Sequence, residues 1–216
     1  MEEDKYAQAR NQMVNTQLIP RGIRDPRVLA AMRRVPRHRF VPSPLWDQAH
    51  NDYPLPIGED QTISQPYIVA LMVQELRAGP TDRVLDVGAG SGYQAAVLSR
   101  LAKHVYAIER LPELADQASS LLADLGYRNV TIRLGDGTLG WPEEAPFDGI
   151  ICGAAAPDIP PAWIEQLAEG GWIVAPVGGA DSQTLLVAQK IAGRLDRRYL
   201  CGVRFVKLIG QEGWEG

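Results

Sequence analysis

The stretch Val84-Leu85-Asp86-Val87-Gly88-Ala89-Gly90-Ser91-Gly92 decides the fold. An apolar run broken only by Asp86 ends in glycine at every second position, and a helical pattern follows over residues 93–101. Strand, tight turn and helix in that order make the opening unit of a parallel α/β sheet. Glycine suits such a turn because the chain bends sharply and a ligand can reach the backbone with no Cβ in the way. Gly88, Gly90 and Gly92 form G-x-G-x-G, one residue short of the dinucleotide fingerprint G-x-G-x-x-G, which argues against NAD.

Further apolar runs at 105–108, 130–134, 148–152, 171–177 and 185–189 follow, with helical candidates between them at 113–125 and 162–168. Most runs lack polar alternation, as expected of strands covered on both faces. A last strand is expected at 203–206, which makes seven strands with an antiparallel end strand. The expected fold is therefore α/β, a Rossmann-like, doubly wound, mostly parallel seven-stranded sheet with added N-terminal helices. Upstream, Asp25-Pro26 followed by Val28, Leu29 and Met32 reads as an N-cap and an amphipathic helix. Residues 51–65, with Pro54, Pro56 and Gly58, read as loop, and a second amphipathic helix starts at Pro66.

On an open parallel sheet, ligands sit outside the carboxyl ends of the strands. Glu109 closes the second strand, 21 residues after Gly88, where an acid can accept hydrogen bonds from ribose hydroxyls. Gly135-Asp136-Gly137 closes the third, so Gly88, Glu109 and Asp136 fall on one rim.

A length of 216 residues against about 150 per domain points to one domain with appendages. A net charge of −4 excludes the electrostatic footprint of a nucleic-acid binder. Charge is uneven: residues 21–39 hold seven Arg against Asp25 alone, and 109–169 hold eleven acids against three Arg. Both segments read as solvated faces, with an anionic peptide substrate as the other reading. Cys152 and Cys201 are too few for a disulfide framework or zinc set, and His38, His50 and His104 lack ligand spacing, so no metal is expected. Neither a signal segment nor a bilayer-length apolar run is present, so a cytoplasmic protein with no membrane partner is expected.

The glycine turn with Asp86 and the later Glu109 resembles the pattern D/E-x-G-x-G-x-G, then an acid, of the S-adenosylmethionine-dependent methyltransferases with a Rossmann-like sheet. The resemblance implies that Gly88, Gly90 and Ser91 meet the methionine part of the cofactor, that Glu109 binds the ribose, and that Asp136 with Gly137 lines the adenine. Several further segments occur in the right order: residues 13–18, 23–28 and 35–42, then Gln61-Thr62-Ile63-Ser64-Gln65-Pro66-Tyr67, Pro146-Phe147-Asp148, Cys152-Gly153-Ala154-Ala155-Ala156, and 170–171 leading into 175–179. From about residue 10 to the end, the chain resembles the protein-L-isoaspartate O-methyltransferases. It departs from them at Tyr67, where His is common, and at Lys207, where Pro is common.

That resemblance implies methyl transfer from S-adenosylmethionine to the free α-carboxylate of isoaspartyl residues in peptides and proteins, leaving S-adenosylhomocysteine. It assigns the catalytic serine to Ser64, whose hydroxyl can hold one carboxylate oxygen while the other attacks. Ser64 before Gln65-Pro66 also looks like a helix N-cap, and both roles can hold together. Thr62, Ile63 and Val206 are expected at the peptide. The chain then divides as 1–80, helical and substrate loop, 81–192, cofactor-binding core, and 193–216, C-terminal strand and tail, within one domain acting as a monomer. Two alternatives stay open: a methyltransferase of this fold acting on a small molecule, and a module that binds isoaspartyl chain ends without transfer.

Overall fold

The computed structural model describes residues 2–215. Helix α1 (Glu2–Met13) runs into a π-helical turn (Val14–Leu18). Helix α2 (Pro26–Arg34) starts as expected: the Asp25 carboxylate accepts the Arg27 amide at 2.8 Å and Pro26 fills the first turn, where its missing N–H costs nothing. Val28, Ala31 and Met32 bury its apolar face.

Residues 51–65 are not all loop. They contain a hairpin of β1 (Leu55–Gly58) and β2 (Gln61–Ile63). Pro56 and Gly58 mask its strand signal, and the reversal falls on Glu59 and Asp60, both at positive φ (50° and 53°) without the Asn-Gly or Asp-Gly pair that marks such turns. Helix α3 (Pro66–Leu76) follows.

The main sheet contains β3 (Arg83–Val87), β4 (His104–Glu109), β5 (Val130–Leu134), β6 (Phe147–Cys152), β7 (Leu167–Gly178), β8 (Gln183–Ile191) and β9 (Arg194–Val203). Their order is β5-β4-β3-β6-β7-β8-β9, parallel through β7 and antiparallel at both β7–β8 and β8–β9. Helix α4 (Tyr93–Leu98) joins β3 to β4, α5 (Pro112–Asp124) joins β4 to β5, and α6 (Pro161–Gln166) precedes β7.

Alternation along each strand builds two cores. Val84, Val105 and Val174 pack with residues of α2 to α5, such as Met32, Val69, Ala96 and Leu114. Leu85, Ile108 and Ile173 pack on the other face with Phe147, Ile150 and Trp163. Val84, Leu85 and Val87 are fully buried, each worth about 1.5–3 kcal/mol of transfer from water.

Three expected boundaries move. The last strand is Arg194–Val203 rather than 203–206. It is an edge strand with Arg197, Arg198 and Tyr199 in solvent, so it carries no apolar run. Past it, the Phe205 amide donates to the Gln183 side chain at 2.9 Å instead of to a ladder. Helix α6 stops at Gln166, and β7 starts at Leu167, ahead of Gly170 and Gly171. An irregularity in the pairing between Leu167 and Trp172, with Gly170 at φ +80°, absorbs glycines that read as a turn. Helix α4 ends at Leu98, three residues before the expected end, and turns carry the chain on.

Strand β3 lies between β4 on one side and β6 on the other, so the chain leaves its neighbours in opposite directions there. That switch point, at the ends of β3 and β6, is where this sheet opens a crevice. Among the described residues, no helix is long and apolar enough to cross a membrane.

Candidate active site

A slot opens at the switch point. Gly88 and Gly90 take φ of +77° and +52°, a region that side chains rarely tolerate, and the amides of Gly88 and Ala89 both donate to the Ile108 carbonyl at 2.9 and 3.1 Å. The turn is thereby folded back onto β4. Glu109, 6% exposed at the end of β4, fixes it further: Oε2 accepts the Gly90 amide at 2.8 Å, and Oε1 accepts those of Arg110 and Leu111 at 2.8 and 3.0 Å. A carboxylate has about four acceptor positions, so one remains for a ligand hydroxyl. The slot is walled by Gly88, Gly90, Glu109 and Leu111, by Ile57 of the hairpin, and by residues 206–209 of the tail. Its free volume is about 60 Å³.

Gly137 lies on the same wall and has no room for a side chain: a Cβ there would come 2.5 Å from Val87 Cγ1. Trp163 Nε1, fully buried, donates to the Gly137 carbonyl at 2.9 Å and holds the residue against β3. Asp136, expected beside it, does not line the slot. Its Oδ1 accepts the Thr138 amide and hydroxyl at 2.8 and 2.7 Å, and its Oδ2 accepts the Gln211 amide of the tail at 2.7 Å. Burial alone would raise this carboxyl, but those donors outweigh it and hold the pKa below the ordinary range. Ser91 also falls outside, on a neighbouring pocket beyond Ile57 and Gly90 with Arg39 and Gln117.

Asp86 is fully buried one strand residue before Val87. Gln94 Nε2 donates to its Oδ1 at 2.7 Å, while Oδ2 has no partner among the described residues. Burial pushes its carboxyl up to about 7, and the nearby Glu109 charge adds to the rise. An unsatisfied buried carboxyl oxygen is rare in a native interior. By contrast, burial pushes the Cys152 thiol up to about 12, so this residue is inert packing.

A second and larger cavity, about 1090 Å³, adjoins the slot and is lined by Thr62, Ser64, Tyr67, Phe205 and Val206 among others. Thr62, Gly153, Val206 and Lys207 wall both cavities. The Ser64 side chain does not cap α3. The N-cap position belongs to Gln65, with no side-chain bond, and the Tyr67 amide is instead taken by Asp52 Oδ1 at 3.1 Å. Asp52 also accepts from Arg21, whose guanidinium lies 3.5 Å from the Tyr67 ring centroid. The Ser64 hydroxyl makes no hydrogen bond to the described residues, and its carbonyl accepts from Arg37 Nη2 at 2.7 Å. Ile63, expected at the peptide, is 5% exposed and turns into the core. Val206 lies beyond the last strand, its carbonyl accepting the Ala155 amide at 2.8 Å in a short parallel run beside β6.

Composition and spacing give no sign of Arg37 or Asp52. Arg37 is one of seven Arg in a segment that reads as solvated, yet it is fully buried, and burial lowers its pKa. His38 and His50 are packing residues, as expected. Both are 6% exposed, with His38 stacked on Tyr6 at 4.1 Å, and burial and nearby cations push them down to about 4 and about 3.

A glycine turn tied to an acid of the next strand, at the switch point of this seven-stranded sheet, is the architecture of the S-adenosylmethionine-dependent methyltransferases. The comparisons narrow the class. The family model of protein-L-isoaspartate(D-aspartate) O-methyltransferase matches residues 8–213. Protein-L-isoaspartate O-methyltransferase 1 of Syntrophobacter fumaroxidans is 54% identical over 211 residues, covering 98% of this chain and 99% of its own. The Methanoregula boonei protein-L-isoaspartate O-methyltransferase is 56% identical over 206 residues, 95% of each. A solved protein-L-isoaspartate O-methyltransferase superposes with a TM-score of 0.85 at 28% identity, over 94% of this chain and 67% of that one. A Plasmodium falciparum protein solved in complex with S-adenosyl-L-homocysteine superposes with a TM-score of 0.80 at 26% identity, over 93% and 98%. This chain belongs to the protein-L-isoaspartate(D-aspartate) O-methyltransferase family.

Proposed function

We propose that the reaction of this family, methyl transfer to the free α-carboxylate of L-isoaspartyl residues at the start of their repair to aspartyl, takes place where the slot and the groove meet. The observation that carries the proposal is the shared wall: Thr62, Gly153, Val206 and Lys207 face both cavities, so a donor in the slot and a carboxylate in the groove are neighbours.

The slot fits S-adenosylmethionine on features of this chain. Gly88 and Gly90, at positive φ, let a ligand approach the backbone, and Gly137, with no room for a side chain beside Val87, presents only main chain to the slot. Glu109 would hold the ribose through its remaining acceptor position, and Leu111 with Gly137 would flank the adenine. When bound, the cofactor supplies an electrophilic methyl group on a sulfonium.

The residues of the groove have no proton to remove. An α-carboxyl, with a reference pKa of about 3.3–3.7, is already ionised at pH 7, so no general base is needed. What remains is alignment and exclusion of water. The Ser64 hydroxyl, free of internal partners, would hold one carboxylate oxygen and leave the other to attack. Thr62 and Val206 would set the depth at which the carboxylate enters, and Ile63 would contribute only main chain.

The test is a matched pair of peptides, isoaspartyl and aspartyl, with S-adenosylhomocysteine as readout. Wild type should methylate only the first. Ser64→Ala should lower turnover roughly 10- to 100-fold, the worth of a hydrogen bond to a charged group, with cofactor affinity retained. Unchanged turnover removes Ser64 from the chemistry, and methylation of neither peptide favours a small-molecule substrate.

A further inference from the structure

Arg37 is an expensive residue in the place it occupies. Its guanidinium is fully buried in the 3-10 turn Arg37–Phe40, and no carboxylate lies within ion-pair distance of it among the described residues. Taking a charge out of water costs several kcal/mol, and an apolar side chain of similar volume commonly serves stability as well or better. The partners of this cation are not those of a structural ion pair. Nε donates to the Ala49 carbonyl at 2.7 Å, Nη2 donates to the Ser64 carbonyl at 2.7 Å, the Tyr93 ring centroid lies 4.7 Å from Cζ, and Nη1 has no partner among the described residues. The guanidinium stays protonated under all working conditions and presents its donors as a rigid fork. It therefore clamps two segments 15 residues apart, one of which carries the hydroxyl at the groove.

The neighbours of Ser64 are secured by other means. Ile63 pairs with Leu55 in the hairpin, and the Gln65 side chain and Tyr67 amide both donate to Asp52. Among the described residues, Ser64 itself is tied only through its carbonyl, and only to Arg37.

We propose that Arg37 is a positioning residue for methyl transfer: by clamping the Ser64 carbonyl it fixes the peptide unit from which the Ser64 hydroxyl reaches the acceptor carboxylate. This rests on the reading of Ser64 as the residue at that carboxylate, and the experiment separates the two.

Arg37→Met and Arg37→Lys are made alone and in the Ser64→Ala background, with kcat and KM for an isoaspartyl peptide, S-adenosylhomocysteine affinity by calorimetry and melting temperature measured for each. Arg37→Met in otherwise native protein should lower kcat about 10- to 100-fold, the worth of one charge-assisted hydrogen bond, with cofactor affinity held within about twofold. Arg37→Lys, which keeps the charge and can reach one carbonyl, should fall between it and wild type. In the Ser64→Ala background the same Arg37→Met change should cost no more than about twofold, because the hydroxyl it positions is gone. An equal loss in both backgrounds overturns the role of Arg37 while leaving that of Ser64 intact. A Ser64→Ala enzyme with full turnover overturns both. Failure of both Arg37 variants to fold, or a parallel loss of cofactor affinity, would make Arg37 a residue of the fold alone and also overturn the proposal.

Discussion

Replacing Asp86 by Asn should stabilise the protein at alkaline pH, an unusual outcome for a change at a fully buried position. In the folded chain the carboxyl keeps its proton up to about pH 7 because it is buried, against an ordinary value of 3.8. Between those values the folded form holds a proton that the unfolded form has released, so stability falls as pH rises through the window and is flat above it. The whole difference is worth about 4 kcal/mol, of which about 2.5 kcal/mol falls between pH 5 and pH 8. Asn keeps the Gln94 hydrogen bond at Oδ1 and carries no charge, but its NH₂ replaces the unpartnered Oδ2 and costs about 1–3 kcal/mol at every pH. His38 and His50 titrate over the same range with opposite sign, so the effect is read in the variant relative to wild type. Urea unfolding of both proteins at pH 5 and pH 8, followed by circular dichroism, gives that difference. The variant should gain about 2.5 kcal/mol on wild type between the two pH values. A stability difference that does not change with pH would refute the reasoning, since it would mean that Asp86 is ionised in the folded protein throughout.

The two buried histidines contribute to the acid limit. Their folded values of about 3 and about 4 lie below the ordinary 6.5, so the stability they contribute is present above pH 6.5 and is lost as pH falls toward those values. His50→Phe, at a ring whose nitrogens have no partners among the described residues, should move the acid-unfolding midpoint to lower pH by circular dichroism; an unmoved midpoint would place the acid-labile group elsewhere. Gly137→Ala should press a methyl group against the fully buried and β-branched Val87, costing about 1–3 kcal/mol in stability. Calorimetry should show weaker binding of S-adenosylhomocysteine as the crowded Gly137 segment shifts, and full affinity would show that this wall is not part of the site.

The core of the sheet is legible in the sequence for a simple reason. Strands β3, β4 and β6 are covered on both faces, so residues such as Val84, Leu85, Ile150 and Ile151 form nearly unbroken apolar runs. Strand β9 is covered on one side only and lies at an edge, so Arg197, Arg198 and Tyr199 hide it. The hairpin is hidden because Glu59 and Asp60 adopt a conformation that their side chains do not advertise. At the site, glycines and the acid that follows them announce themselves by spacing, whereas Asp136 sits at the right strand end but turns its carboxylate to Gln211, a contact 75 residues away that no local pattern encodes. Arg37 illustrates the same limit. Its charge suggests solvent, and only the packing of four separate segments shows that it is enclosed.

The most direct measurement is a crystal structure of the chain with S-adenosylhomocysteine and an isoaspartyl peptide. The spent donor is expected between the glycine turn and Gly137 with its ribose on Glu109, and the peptide carboxylate is expected across the wall of Thr62 and Val206, within reach of Ser64. A donor bound in the pocket beside Ser91 and Arg39 instead, or a carboxylate held away from Ser64, would contradict the placement on which the proposed chemistry depends.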